Sequence, residues 1–172
     1  RLNTTGVKII TVEDPVEYIL RTGESGGYAS QREIGKDVPD FASGVKMSLR
    51  EDPDTILVGE VRDPETAMAA LSAAETGHSV LATVHAGGCF GAVDRFLSLL
   101  GSGEYQAMRM AGAYLCGIHS TTGTIGGRTA RSYEVFKSND AARTHIRERA
   151  THRLAQARSG LVESEYKTTI VS

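Results

Sequence analysis

Three groups of residues have side chains that could do chemistry. Glu13 and Asp14 form a carboxylate pair, and Glu17 follows a turn later. Glu60 stands directly after the apolar run Thr55-Ile56-Leu57-Val58-Gly59, with Arg62 and Asp63 just beyond. Thr83 and His85 close a third run that starts at Ser79. Paired carboxylates hold a hard cation such as Mg²⁺ directly or through its waters. A glutamate orients or deprotonates an attacking water, and a histidine senses or donates to a phosphate. Taken singly, an acidic residue after a strand is more often a loop residue or a helix cap. Three such groups converging on one place select a site. His78 and His85 do not make a metal pair: seven residues apart along an extended segment they face opposite ways and stand roughly 23 Å apart.

The elements that must position these groups are legible from the surrounding pattern. Lys8-Ile9-Ile10-Thr11-Val12 is a β-branched run that reads as a buried strand. Pro15 cannot donate to a ladder, so the acidic pair is left at the strand's C-terminal tip. The polar, glycine-bearing stretch Arg21 to Lys36 reads as an irregular or hairpin excursion. Phe41, Val45 and Leu49 recur every four residues and mark a helix face, with Asp37 or Asp40 as N-cap and an end near Asp52-Pro53. Thr55 to Gly59 is a second buried strand. Asp63-Pro64-Glu65 opens an alanine-rich helix that stops at Gly77. Ser79 to Val84 is a third strand, and connections this short imply a parallel, right-handed crossover. A helix follows Gly87-Gly88 and runs to Leu99 or Leu100, closed by Gly101, and a further one spans roughly Glu104 to Ile118. Arg128 to Phe136 is a strand with 123–127 as its glycine-rich approach. From Asp140 the chain reads as short helical pieces broken at Gly160.

The class is therefore α/β with a parallel sheet, in which sites form outside the carboxyl ends of the strands. The partition read from the sequence is a core over 1–138 and a small C-terminal helical subdomain over 139–172.

Composition narrows the function. The chain has 172 residues, 40% of them hydrophobic and 23% charged, with a net charge of −2. That balance gives no global attraction to nucleic acid or to an anionic membrane. No apolar run approaches the roughly 20 residues needed to cross a bilayer, and Arg1 to Thr5 lacks the pattern of a signal peptide. Cys89 and Cys116 sit outside any metal or redox spacing and read as ordinary thiols. The basic segment Arg143, His145, Arg147, Arg149, His152, Arg153 and Arg158 is interrupted by Glu148 and has no interleaved aromatic, so a solvated or partner-facing helix surface fits it better than a nucleic-acid interface.

The residues at these positions resemble a known family. Thr11-Val12-Glu13-Asp14-Pro15-Val16-Glu17-Tyr18 is similar to the Asp box of the type II/type IV secretion ATPases, and Gln31-Arg32-Glu33-Ile34-Gly35 to the segment that follows it. Leu49 to Asp63, ending in Val58-Gly59-Glu60-Val61-Arg62-Asp63, resembles the Walker B region. Ala74 to Ala86 resembles the His box. Gly127 to Ala130 with Glu134-Val135-Phe136 looks like the strand that comes next. Ala142 to Glu148 is similar to a helix of pilus-retraction motors, and Gly160-Leu161-Val162 fits the final helical turn more weakly.

The resemblance implies a RecA-like P-loop NTPase core and a motor that hydrolyses ATP with Mg²⁺. Such a motor works as a hexameric ring on the cytoplasmic side of the inner membrane, against the platform proteins of a secretion, pilus or conjugation machine. Carried over by position, Glu60 is the glutamate that activates water. Glu13 and Asp14 arrange Mg²⁺, largely through its waters, with Glu17 beside them. His85 lies near the γ-phosphate, and His78 belongs to the same box. Arg32, Arg50 and Arg62 are candidates for phosphate or subunit sensing. One departure stands out: no Gly-x-x-x-x-Gly-Lys-Ser/Thr loop occurs in the sequence. Without its backbone N–H groups and lysine, tight ATP binding fails, which implies a fragment or a degenerate copy. A decayed, non-catalytic ring module and a nucleic-acid binder using the 143–158 surface are the two rival readings.

Overall fold

A computed structural model describes residues 6–20, 27–125, 128–160 and 169–170 of the chain. Two compact units are present, one of residues 1–84 with 99–101 and one of residues 85–98 with 102–172. The sequence partition at 138/139 falls inside the second of them.

In the first unit, strand β1 (Lys8–Glu13) is flanked by β2 (Tyr28–Glu33) and β3 (Thr55–Val58), and β3 is followed outward by β4 (Ser79–Ala82). The order is β2-β1-β3-β4 and every pairing is parallel, with Val12 opposite Arg32 on one side and Val58 on the other. Ile10, Val12, Ile56 and Val58 are fully buried, which explains why these two strands read as unbroken apolar runs.

Helix α1 (Phe41–Ser48) buries Phe41, Ala42, Val45 and Ser48. Of the two candidate caps, Asp40 is the one used: its Oδ1 accepts from Ser43 N at 2.7 Å, whereas Asp37 accepts from Glu33 N. Gly44 lets α1 lie close on β1, since a β-carbon there would come within 2.7 Å of Val12 Cγ1. Helix α2 (Pro64–Glu75) has Pro64 in its first turn, and the carboxylate of Asp63 accepts from both Thr66 N and Thr66 Oγ1 at 2.8 Å. It buries Ala67, Ala69, Ala70, Leu71 and Ala73 and packs against α1. Gly77, at φ +97°, turns the chain out of the helix into β4.

The expectation for Arg21 to Lys36 is corrected here. Residues 28–33 form a strand, and it runs parallel to β1, which a hairpin cannot do. Residues 21–26 lie outside the described residues, as do 1–5, 126–127, 161–168 and 171–172.

The second unit holds α3 (Cys89–Leu99, all but its last residue), α4 (Glu104–Ala113), β5 (Cys116–Ile125), β6 (Arg128–Lys137), α5 (Asp140–Arg147), a 3₁₀ segment over Thr151–Gly160, and the two-residue strand β7 (Thr169–Ile170). β5, β6 and β7 form an antiparallel sheet in that order. Three expectations change. The helix expected to Ile118 stops at Ala113, because Tyr114 is already extended (φ −67°, ψ 122°). The 116–125 stretch is then a full strand rather than a helix end and a glycine-rich approach. The C-terminal part also adds β7 to the sheet, so it is not wholly helical.

Phe136 is buried against Phe90, ring centroids 4.9 Å apart and nearly perpendicular. Asn139 caps α5 by accepting from Ala142 N and ties the 3₁₀ segment down by donating to Ala157 O. Ala142, Ile146, Leu154 and Ala157 close this core. Among the described residues no helix is long and apolar enough to cross a membrane.

Cys89 is buried with its thiol directed at Glu134 O, while Cys116 is exposed; neither is in a disulfide. Burial pushes the Cys89 thiol up to about 11 from 9.0, and the nearby Glu134 charge adds to this.

Two outcomes test these features. Replacing Asp63 with Ala removes the α2 cap and is expected to cost about 1 kcal/mol in a denaturant titration. In the native chain at pH 8, a chromogenic thiol reagent is expected to titrate Cys116 promptly and Cys89 only after denaturation. The raised Cys89 value adds stability in full below pH 9 and loses it as pH climbs toward 11, because the unfolded thiol releases its proton first. Equal labelling rates for the two cysteines would contradict this burial.

Candidate functional site

The carboxyl ends of β1, β3 and β4 are stitched together by backbone bonds just past the strands. Gly59 N donates to Val12 O at 2.8 Å, Val61 N to Thr83 O at 2.9 Å, and Thr83 N to Val58 O at 3.2 Å. The Thr83 hydroxyl also donates to Gly59 O. Glu60 therefore sits between two anchored residues, one fixed to the β1 tip and one to the β4 tip. Position 59 has to be glycine: an added β-carbon would lie 2.9 Å from Val12 O and 3.3 Å from Glu13 Cα. The Gly-Glu pair is thus a packing requirement followed by a residue whose backbone is held on both sides.

On β1, Glu13 is half-buried and Asp14 exposed, and the Asp14–Pro15 peptide is cis. Glu13 Oε1 accepts from Thr11 Oγ1 at 2.5 Å and from Gln31 Nε2 at 2.9 Å. Asp14 faces Arg62 at 3.7 Å, with 57% of the Arg62 side chain and 42% of the Asp14 side chain exposed. The Arg62 guanidinium also lies 5.7 Å over the Phe41 ring. So exposed a pair is screened and contributes at most about 1 kcal/mol. Glu33 is the register partner of Glu13, which sets two carboxylates across a strand pair. Lys36 relieves this: its hydrogen bond at 2.5 Å holds the Glu33 carboxyl below the usual range and raises Lys36 in return.

Glu13, Asp14, Glu60 and Arg62 are thus gathered at the strand tips. Other candidates lie elsewhere. Glu17 is exposed on the loop after β1. Arg32 is ion-paired with Glu51 and ties β2 to the turn after α1. Arg50 is exposed on that turn, beside a shallow concavity lined by Pro39, Ser43, Lys46 and Met47. His78 precedes β4, at the end of the sheet opposite the carboxylates, where Nδ1 lies 3.1 Å from Thr76 Oγ1 and 3.2 Å from Ala73 O at the end of α2. Parallel strand direction alone keeps it from the tips. His85 is exposed and begins the second unit. In the basic segment, Arg143 donates to Gly112 O and Arg149 to Gly103 O. The side chain of Arg158 lies outside the described residues.

Two residues missed in the sequence matter here, Thr11 and Gln31. Strand parity would have found them, since Thr11 is two residues before Glu13 and Gln31 is the register partner of Thr11.

Among the described residues no group of three or more His, Cys, Asp or Glu side chains is arranged to hold a metal ion. The donor set at the β1 tip is two hard carboxylates. That suits Mg²⁺, which keeps several waters and takes its other ligands from substrate phosphates.

A family model described as type II/IV secretion system protein matches residues 1–121. The chain is 41% identical over 150 residues to the twitching motility protein of Neisseria gonorrhoeae, covering 84% of this chain and 39% of that protein. It is 38% identical over 149 residues to the type IV pilus retractation ATPase PilT of Pseudomonas aeruginosa, covering 85% and 43%. The crystal structure of the pilus retraction motor PilT with bound ADP matches with a TM-score of 0.82 at 36% identity, over 91% of this chain and 46% of that one. The Legionella pneumophila ATPase DotB matches with a TM-score of 0.77 at 28% identity, over 88% and 44%. The chain spans less than half the length of each of these relatives. Its α/β architecture with a parallel sheet is the one found in PilT and DotB.

The close approach at Gly59 is open to test. Gly59→Ala sets a β-carbon against a backbone oxygen that cannot rotate away, and is expected to destabilise the chain by about 1–3 kcal/mol on thermal or denaturant unfolding. An unchanged midpoint would show that the strand tips are not held as described.

Proposed function

The chain belongs to the type II/IV secretion system protein family, and on that premise we propose that it is part of a Mg²⁺-dependent motor ATPase driving a secretion, pilus or conjugative-transfer machine. The observation that carries the proposal is the fixing of Glu60 at the carboxyl ends of β1, β3 and β4 by bonds to Val12 and Thr83 on either side of it. A glutamate held this way can orient a water and take its proton as the water attacks a phosphoryl group.

Glu13 and Asp14 are the oxygen donors toward Mg²⁺, with Thr11 and Gln31 fixing which oxygen of Glu13 is left over. Bound there, Mg²⁺ would neutralise charge on the phosphate oxygens of ATP. Arg62 lies beside Asp14 in a weak, exposed pair that leaves the carboxylate available. A phosphate-facing role for His85 is supported by the resemblance alone. The sequence has no Gly-x-x-x-x-Gly-Lys-Ser/Thr stretch, so the proposal assigns the cradling of phosphates to residues outside it. It extends to a hexameric ring on the cytoplasmic face of the inner membrane, docked on the machine's platform proteins.

The decisive substitution is Glu60→Gln in a polypeptide that joins this chain to its phosphate-binding loop. Turnover is expected to fall by at least about a hundredfold while Mg²⁺-ATP still binds. Loss of nucleotide binding instead would move Glu60 out of the water-activating role.

A further inference from the structure

We infer that Gln31 is a positioning residue that ties the Glu13 carboxylate to the loop 14–20, so that the carboxylate and the exposed Tyr18-Ile19-Leu20 segment shift together. The site role of Glu13 rests on the proposed function; the mechanical link does not.

Every polar atom of the Gln31 amide is engaged. Nε2 donates to Glu13 Oε1 and to Tyr18 O, both at 2.9 Å, and Oε1 accepts from Leu20 N at 2.6 Å. The Glu13 end of this bridge is held from the other side by Thr11, which is fully buried and donates to the same Oε1. Two donors thus converge on one carboxylate oxygen, and neither takes Oε2. The loop end is different in kind. Tyr18 and Ile19 are 79% and 81% exposed, Leu20 is 38% exposed, and what holds this segment to the sheet includes two backbone bonds to Gln31.

The pattern of partners separates coupling from plain loop support. A glutamine that only pinned a loop would need the two backbone bonds. The third goes to a side-chain carboxylate at the strand tip, which can move when its own ligation changes. If Glu13 withdraws, a half-buried amide N–H loses its acceptor, and unmade bonds of this kind are costly. The amide then turns toward a new partner, and a planar group that turns for one bond disturbs the other two. Charge adds to the bias, because Glu13 stands opposite Glu33 and relies on neutral donors for its own balance.

Hydrogen exchange at the Leu20 amide, measured on the full chain, tests the link. Gln31→Ala is expected to speed exchange there by about two- to tenfold, the range for losing one net hydrogen bond. Glu13→Ala is expected to speed it comparably, although Glu13 has no bond to Leu20, and the double variant should be no faster than either single one. Gln31→Glu sets two carboxylates face to face and should also speed exchange. Glu13→Gln keeps a carbonyl oxygen for both Thr11 and Gln31, so exchange at Leu20 should stay slow in that variant. A normal Leu20 rate in Glu13→Ala beside a fast one in Gln31→Ala would reduce Gln31 to a loop support and overturn the inference. Should the alanine variants unfold, Glu13→Met decides, because it keeps the side chain's length and removes only the acceptor: faster exchange at Leu20 supports the link and an unchanged rate rejects it. No step depends on turnover, so a failed Glu60 assignment leaves this test intact, and a failed link leaves the Glu60 assignment standing.

Discussion

The backbone N–H of Gly59 donates to Val12 O across a gap that no β-carbon could occupy, and the placement of Glu60 beside the carboxyl end of β1 follows from that approach. The apolar bodies of β1 and β3 are held by burial on both faces, which says nothing about where their tips lie. The Gly59 bond, and the Val61–Thr83 bond on the far side of Glu60, convert a packed sheet into a row of tips with fixed spacing. Thr83 reinforces the row through its hydroxyl, which reaches Gly59 O. Burial supplies the stability here and a few backbone bonds supply the precision.

Much of this was readable in the sequence, for reasons particular to each element. β1 and β3 are buried on both sides, so the residues from Ile9 to Val12 and from Thr55 to Val58 are constrained to be apolar or β-branched, and the run itself is the signal. α2 carries its boundaries in its chemistry, with Asp63 and Pro64 at one end and Gly77 at the other. β2 carried no such signal. It is an edge strand of sequence Tyr-Ala-Ser-Gln-Arg-Glu, mostly half-buried, and what specifies it is its pairing with β1 and its polar contacts rather than a hydrophobic face. Missing the strand meant missing its parity, and with it Gln31.

The α4 boundary failed for the opposite reason, a periodicity that was present and misleading. Ala107, Ala111, Leu115 and Ile118 keep a helical spacing through the real end of the helix at Ala113. Leu115 and Ile118 are 70% and 67% exposed, however, so no core rewards the continuation. Beyond them the run Ser120-Thr121-Thr122-Gly123-Thr124 is rich in β-branched residues but has no buried face, and it is paired into a hairpin with β6. Spacing of apolar residues predicts an element only where something exists to bury them against. Burial itself was not visible in the pattern.

The electrostatics of the β1 tip bear on what it is built to receive. A carboxylate meant only to brace the fold is normally matched by a close cation, as half-buried Arg32 matches Glu51 here. Glu13 instead takes its two bonds from neutral donors, a hydroxyl and an amide, so its negative charge is oriented without being cancelled. Asp14 has a cation, but Arg62 stands 3.7 Å away and both side chains are largely open to water, so the pair is weak and reversible. Arg62 loses little on leaving, since the Phe41 ring remains beneath its guanidinium. Glu13 is thus fixed in direction and nearly free in charge, and Asp14 is only weakly held. On the proposed function, this would let a small divalent cation, arriving with its own waters and a phosphate, bind without first breaking a strong ion pair.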